Sequence, residues 1–199
     1  DFCLSRGLGD VYKRQALASQ AALAEQKLVP AQSAVNFTAK QMGVPLQGHF
    51  KKFDAQVQFD TAKPDTSKIR FTVDTGSATM GAKETDAELP KADWFNVAKF
   101  PQAVFDSTAV KALGGGKYQV DGKLSIKGQV QNVSIPVQLA QSGTTTTATG
   151  TLPLKRLQFK IGEGEWGDTS MVADEVQVQS KLALTCLLYT SDAADEEDS

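Results

Sequence analysis

The sequence has two cysteines, one histidine and no long apolar run. Cys3 and Cys186 both lie close to the chain ends, so the interior offers neither a thiolate nucleophile nor a cysteine-based metal site, and no disulfide framework can be read from it. A lone histidine, His49, provides no paired imidazole ligands. No stretch approaches the ~20 apolar residues of a membrane-spanning helix. Charge of one sign is missing too: 21 basic against 23 acidic side chains leave no footprint for a nucleic acid or a strongly acidic partner.

The ends read as translated adapter DNA. Asp10-Val11-Tyr12-Lys13-Arg14-Gln15 can be encoded by GAT GTG TAT AAG AGA CAG, and the opposite strand of that DNA, one base out of frame, encodes Cys-Leu-Leu-Tyr-Thr and then Ser, the run Cys186-Leu187-Leu188-Tyr189-Thr190-Ser191. One inverted element, similar to the mosaic end of a sequencing-library transposon, thus explains both ends. Residues 1–15 and 186–199 are accordingly set apart from the fold. Without them 18 basic and 16 acidic side chains remain. Ala16–Ala24 is Ala- and Leu-rich, and Ala22 and Ala24 fit an A-x-A cleavage site, as expected of the remnant of a signal peptide on an exported protein. The expected domain is residues 25–185.

Within it the apolar period is two. Val35, Phe37 and Ala39 alternate with Asn36, Thr38 and Lys40; Ala55, Val57 and Phe59 with Gln56, Gln58 and Asp60; Ile69, Phe71 and Val73 with Arg70, Thr72 and Asp74. Tyr118, Val120, Leu124 and Ile126 share one side of a further segment. Val133, Ile135, Val137 and Leu139 repeat the pattern, as do Val176, Val178, Leu182 and Leu184. Successive side chains of a strand point to opposite faces, so each segment has a dry and a wet side. Pro64-Asp65, Gly114-Gly115-Gly116, Gly143 and Gly162-Glu163-Gly164 mark the turns. This predicts an all-β protein of at least eight strands, an antiparallel barrel or sandwich. A short helical segment is expected near residues 79–96, ended by Pro90.

The chemical signals are weak. Asp74-Thr75-Gly76-Ser77 matches the aspartic-protease signature, but such enzymes need two carboxylates sharing a proton, which only a homodimer of this chain would supply. A strand ending in a glycine turn explains the same four residues. His49 is expected at the surface or a barrel rim. Gly114-Gly115-Gly116-Lys117 lacks P-loop spacing. No metal-ligand spacing occurs. Gly162–Asp168 sets two acids and Trp166 among glycines, and serves equally as a pocket cap or a corner.

Asp93-Trp94-Phe95-Asn96-Val97-Ala98-Lys99-Phe100-Pro101, then Val104-Phe105-Asp106-Ser107, resembles a segment of the YceI family. So do Tyr118–Gly128 and the set Arg156, Phe159, Ile161, Gly162, Gly164, Trp166, Asp168 and Asp174-Glu175-Val176. The resemblance spans about Glu25 to Thr185. It departs where family members often carry Lys-His: here Gln41 follows Lys40, so no role of that histidine is carried over.

The resemblance implies an extended lipocalin-like barrel of eight antiparallel strands, located in the periplasm, that holds a polyisoprenoid, an isoprenoid quinone or a similar amphiphile without covalent attachment and without catalysis. The ligand-lining residues expected on this basis are Phe37, Val57, Phe59, Ile69, Phe71, Met80, Trp94, Phe95, Phe105, Ile135, Val137, Phe159 and Trp166. The pattern alone favours a solid core; the resemblance favours a hollow one. Two further readings stay open: an accessory or stress-response module docking a membrane redox protein, and a dimeric protease using Asp74.

Overall fold

The computed structural model describes residues 25–59 and 63–186; the expected signal-peptide remnant and nearly all of the adapter-like ends lie outside them. Eleven segments pair antiparallel throughout: β1 (Glu25–Leu28), β2 (Ala34–Gln41), β3 (Val44–Phe50), β4 (Phe53–Gln58), β5 (Lys68–Asp74), β6 (Ala78–Thr79), β7 (Gln102–Gly114), β8 (Lys117–Ile126), β9 (Gln129–Ser142), β10 (Thr145–Lys155) and β11 (Glu175–Cys186). They form eight staves, because three staves are broken in the middle. β1 and β2 are one stave interrupted by a 3-10 turn at Pro30–Gln32, β3 and β4 one interrupted at Lys51-Lys52, and β5 and β6 one interrupted at Thr75–Ser77. Each stave pairs with its sequence neighbour, and Gln26 and Leu28 of β1 pair with Cys186 and Leu184 of β11, which closes the ring. The backbone of Cys186 continues the ladder one residue past the boundary drawn at Thr185, since pairing is indifferent to the side chain.

The three breaks lie side by side and have local causes. Pro30 has no N–H to give to a ladder. Ser33 Oγ takes over locally, donating to Val29 O (2.8 Å) and accepting from Ala183 N (2.9 Å). In the third stave Asp74 Oδ1 accepts from Gly76 N at 2.9 Å, a short Asx turn that ends β5. Ser77 Oγ donates to Asp74 O and accepts from Lys52 N, which stitches the second and third breaks together. Asp74-Thr75-Gly76-Ser77 therefore builds a corner. Thr75 is buried and its hydroxyl donates to Phe100 O.

A bulge bends the adjoining stave, β7. Ser107 pairs with Gly122 and Ala109 with Asp121, so Thr108 has no partner position. The extra residue shifts the inward phase of β7 from odd to even, from Phe105 to Val110. Two glycines make room for inward rings. A Cβ at Gly48 would meet Phe37 Cζ at 2.3 Å, and one at Gly122 would meet the Phe105 ring at 2.5 Å.

The two ends of the barrel differ. At one, tight turns join β7 to β8 and β9 to β10. Phe59 packs edge-on against Tyr118 there (5.2 Å, 85°), within an apolar cluster that includes Leu28, Val110 and Leu184. At the other, the long connections 80–101 and 156–174 fold over the opening. The first contains α1 (Lys83–Glu88), shorter than the helical stretch expected near 79–96; turns follow it past Pro90 to Phe100.

Candidate functional site

The inward faces of the eight staves enclose an elongated apolar cavity of about 580 Å³. Its wall runs from Phe59 and Tyr118 at the tight end to Trp94 and Trp166 under the long connections. From Tyr118 to Ile126 is eight residues of one stave, roughly 26 Å of strand and roughly 20 Å along the axis of a barrel with strands tilted about 40°. An eight-stranded barrel either fills with side chains or keeps room for one slender ligand, and this one keeps the room.

All thirteen residues named from the sequence lie on that wall: Phe37 on β2, Val57 on β4 and Phe59 just after it, Ile69 and Phe71 on β5, Phe105 on β7, Ile135 and Val137 on β9, and Met80, Trp94, Phe95, Phe159 and Trp166 in the connecting segments. Gly162–Asp168 caps the cavity, with Trp166 reaching the wall. Sequence reasoning left β10 out: Ala148, Gly150, Leu152 and Leu154 also line the cavity, but the threonine-rich start of that strand hides its alternation. It also left out Val110, whose face the bulge switches.

The cap is held by two buried cations. Arg156 is 3% exposed, and all its N–H groups are used on carbonyls: Nε on Ala173 (3.1 Å), Nη1 on Ile161 (2.9 Å) and Gly162 (2.8 Å), Nη2 on Trp166 (2.7 Å) and Val172 (2.7 Å). A planar guanidinium can gather five acceptors from one loop; an ammonium has three donors. Burial lowers the Arg156 pKa, and nearby Asp174 opposes that shift. Gly162, in the left-handed region (φ 73°), is needed beneath it, because a Cβ there would meet Arg156 Nη1 at 2.3 Å. Lys127 donates to Lys160 O and to Glu163 Oε2, tying the same loop to the β8–β9 turn. Arg156 is thus a clamp on the cap, with every N–H engaged by a backbone carbonyl.

Among the described residues, the only exposed ones on the cavity wall are Lys40 and Glu84. The mouth therefore lies between the β2–β3 hairpin and α1, and Gln41, Thr85 and Glu88 complete its polar rim. The α1 side is pinned by Asp86, which accepts from the Thr79 hydroxyl and from Met80 N (2.6 Å). Those bonds, the Thr79 one foremost, hold its pKa below the usual carboxylate value. Trp94 stacks at a tilt on Trp166 (5.7 Å, 51°), and its buried Nε1 has no acceptor among the described residues.

Outside the barrel, exposed His49 shares a shallow groove with Lys51, Lys52 and Asn36 at the stave breaks. Among the described residues no three His, Cys, Asp or Glu side chains gather as a metal site, and no helix is long and apolar enough to cross a membrane.

Known proteins share this architecture. The crystal structure of BcnA from Burkholderia cenocepacia is 47% identical, with a TM-score of 0.76 over 78% of this chain and 98% of that one. A polyisoprenoid binding domain from Saccharophagus degradans has the same fold at 17% identity, with a TM-score of 0.63 over 82% of this chain and 99% of that one. Protein YceI of Salmonella arizonae is 37% identical over 110 residues, 55% of this chain and 57% of that protein. The chain thus spans little more than half the length of the curated relatives it matches. The model of the YceI-like domain matches residues 26–184, and the chain belongs to the YceI family.

Proposed function

We propose that this protein is a periplasmic carrier that holds a long isoprenoid chain, a polyisoprenoid or the tail of an isoprenoid quinone, inside the barrel. The observation that carries this reading is the continuous apolar cavity of about 580 Å³. At about 30 Å³ per water-sized group it takes roughly twenty CH2-sized groups. Burial at ~0.8 kcal/mol per CH2 amounts to roughly 16 kcal/mol before ordering costs are subtracted. Hydrophobic burial alone therefore gives usable affinity, and the wall is accordingly almost free of polar side chains below the mouth.

The family supports a binding role over catalysis, and the Saccharophagus degradans domain is described as polyisoprenoid-binding. A head group would sit at the mouth, where Lys40 and Gln41 face Glu84 and Glu88. Asp74 does not favour the protease reading, because its carboxylate is engaged in its own turn. The continuous lumen likewise favours a carrier over a solid scaffold for a redox partner.

The test is solvent extraction of purified protein with mass spectrometry of the extract, then titration of stripped protein with a C20 and a C40 isoprenoid alcohol. Co-purified isoprenoid, or micromolar or tighter uptake, is expected. Protein that is lipid-free and refuses both alcohols overturns the proposal.

A further inference from the structure

Five large apolar side chains are strongly exposed among the described residues, and four of them, Met42, Val44, Val130 and Met171, sit at the end of the barrel that the long connections cover; only Leu113 is at the tight end. Three of the four form one lip. Met42 and Val44 are 69% and 59% exposed at the tip of the β2–β3 hairpin, and Met171 is 42% exposed on the facing loop. The lip is rigid: Met42 N donates to Met171 O (2.8 Å), Ala173 N donates to Lys40 O (2.9 Å), and Gln41 pairs with Val172.

Its sequence runs against local preference. Met42 and Gly43 form the two-residue turn, both in the left-handed region (φ 49° and 80°). Asn, Asp or Gly is the usual first residue of such a turn, and a bulky side chain there costs energy. Here the chain holds a methionine in a strained conformation with most of its surface in water. A departure from both backbone and solvation preference, beside a mouth, is where function is expected. The lip is also continuous with the lumen rim: Lys40 and Gln41 precede Met42, and Val172 follows Met171; all three flanking residues line the cavity.

We propose that this lip is a membrane-docking element that inserts Met42, Val44 and Met171 into the surface of a lipid bilayer, so that the mouth between Lys40 and Glu84 opens against the lipid. The proposal rests on the carrier reading, because an isoprenoid resides in a bilayer and its passage through water would forfeit the burial that binds it. A protein partner fits less well. A stable interface buries roughly 800 Å² on each side, far more than three side chains at a narrow tip present, whereas a bilayer accepts each apolar group separately.

The experiment is sedimentation of the full chain with vesicles of phosphatidylcholine and of phosphatidylethanolamine with phosphatidylglycerol at three to one. It compares the unaltered chain, the triple variant Met42→Asn, Val44→Thr, Met171→Ser, and Leu113→Ser as the control at the far end. Asn suits the left-handed turn, so the triple variant keeps its hairpin. The partition coefficient of the triple variant is expected to fall at least about tenfold on both vesicle types, with Leu113→Ser unchanged. Uptake of a C20 isoprenoid alcohol dispersed without vesicles is expected to be equal in all three, and this separate readout distinguishes failure of docking from failure of the carrier reading. Vesicle binding that is absent, or equal in the unaltered chain and the triple variant, overturns the docking proposal. So does a dimer on size-exclusion chromatography that the triple variant dissociates, because the lip would then serve a second copy.

Discussion

Phe37 lies across Gly48, its ring where a side chain on the neighbouring stave would otherwise stand: a Cβ at position 48 would come within 2.3 Å of Phe37 Cζ. Phe37 is buried and packs in turn on Phe50 (5.2 Å). The same Cβ would also meet Thr79 O at 2.8 Å, a backbone atom that cannot swing aside as a side chain can. Gly48→Ala is expected to destabilise the protein by about 1–3 kcal/mol, the usual cost of overpacking. Urea denaturation followed by circular dichroism checks this. A midpoint equal to that of the unaltered protein would show that the stave yields without cost.

The cap predicts a sharper loss. Arg156→Met removes all five donors from a buried set of carbonyls. Each orphaned acceptor costs ~1–3 kcal/mol where water cannot replace the donor, so a total of at least about 3 kcal/mol is expected, with red-shifted tryptophan emission as Trp94 and Trp166 become wet. Arg156→Lys restores at most three donors and is expected to fall between. Equal stability of Lys and Met variants would contradict the role assigned to the planar fork.

Trp94 tests the opposite sign. Its buried indole N–H has no acceptor among the described residues, so Trp94→Phe removes an unsatisfied donor while keeping an aromatic ring on Trp166. The expected outcome is neutral to about 1 kcal/mol stabilising, read as an unchanged or raised melting temperature. A loss above about 2 kcal/mol would mean that ring volume, and not the lone donor, dominates there.

Filling the lumen separates cargo from fold. Ala148 lines the cavity on β10, and Ala148→Phe puts a ring into space that the barrel leaves empty. Isoprenoid affinity is expected to fall at least about tenfold, since several CH2 positions are lost at ~0.8 kcal/mol each, while thermal stability holds. Undiminished uptake would put the cargo elsewhere.

The mouth carries a pH dependence. The folded pKa of Asp86 is depressed by its bonds from Thr79 and Met80. A depressed carboxylate stabilises the folded state above its unfolded pKa, and that contribution is lost as pH falls through the folded value. The α1 segment is therefore expected to loosen on going from pH 5 to below about pH 4. Hydrogen exchange of the Met80 amide at both pH values measures this, and in Asp86→Asn the acid-induced step is expected to vanish.

Several of these features could be read from residues alone and others could not. Period-two alternation needs only the geometry of an extended chain, so Val35/Phe37, Val57/Phe59, Ile69/Phe71 and Ile135/Val137 identified their own inward faces before any fold was known. Trp94 and Trp166 stand out through the YceI-like segments that contain them, since the Gly162–Asp168 pattern alone fits a pocket cap and a corner equally. The phase of β7 was not legible, because the bulge at Thr108 depends on what β8 offers opposite it. Arg156 looks like any basic residue at a strand end until the loop 156–174 closes around it.

The amino-acid order by itself determined that this chain forms one-sided antiparallel strands, in a barrel or a sandwich, since alternation dictates which face avoids water at every strand. Only the tertiary structure decided that the barrel is hollow, where its mouth lies and which apolar residues stay outside. Those properties arise from distances between side chains on different staves, which no local pattern encodes.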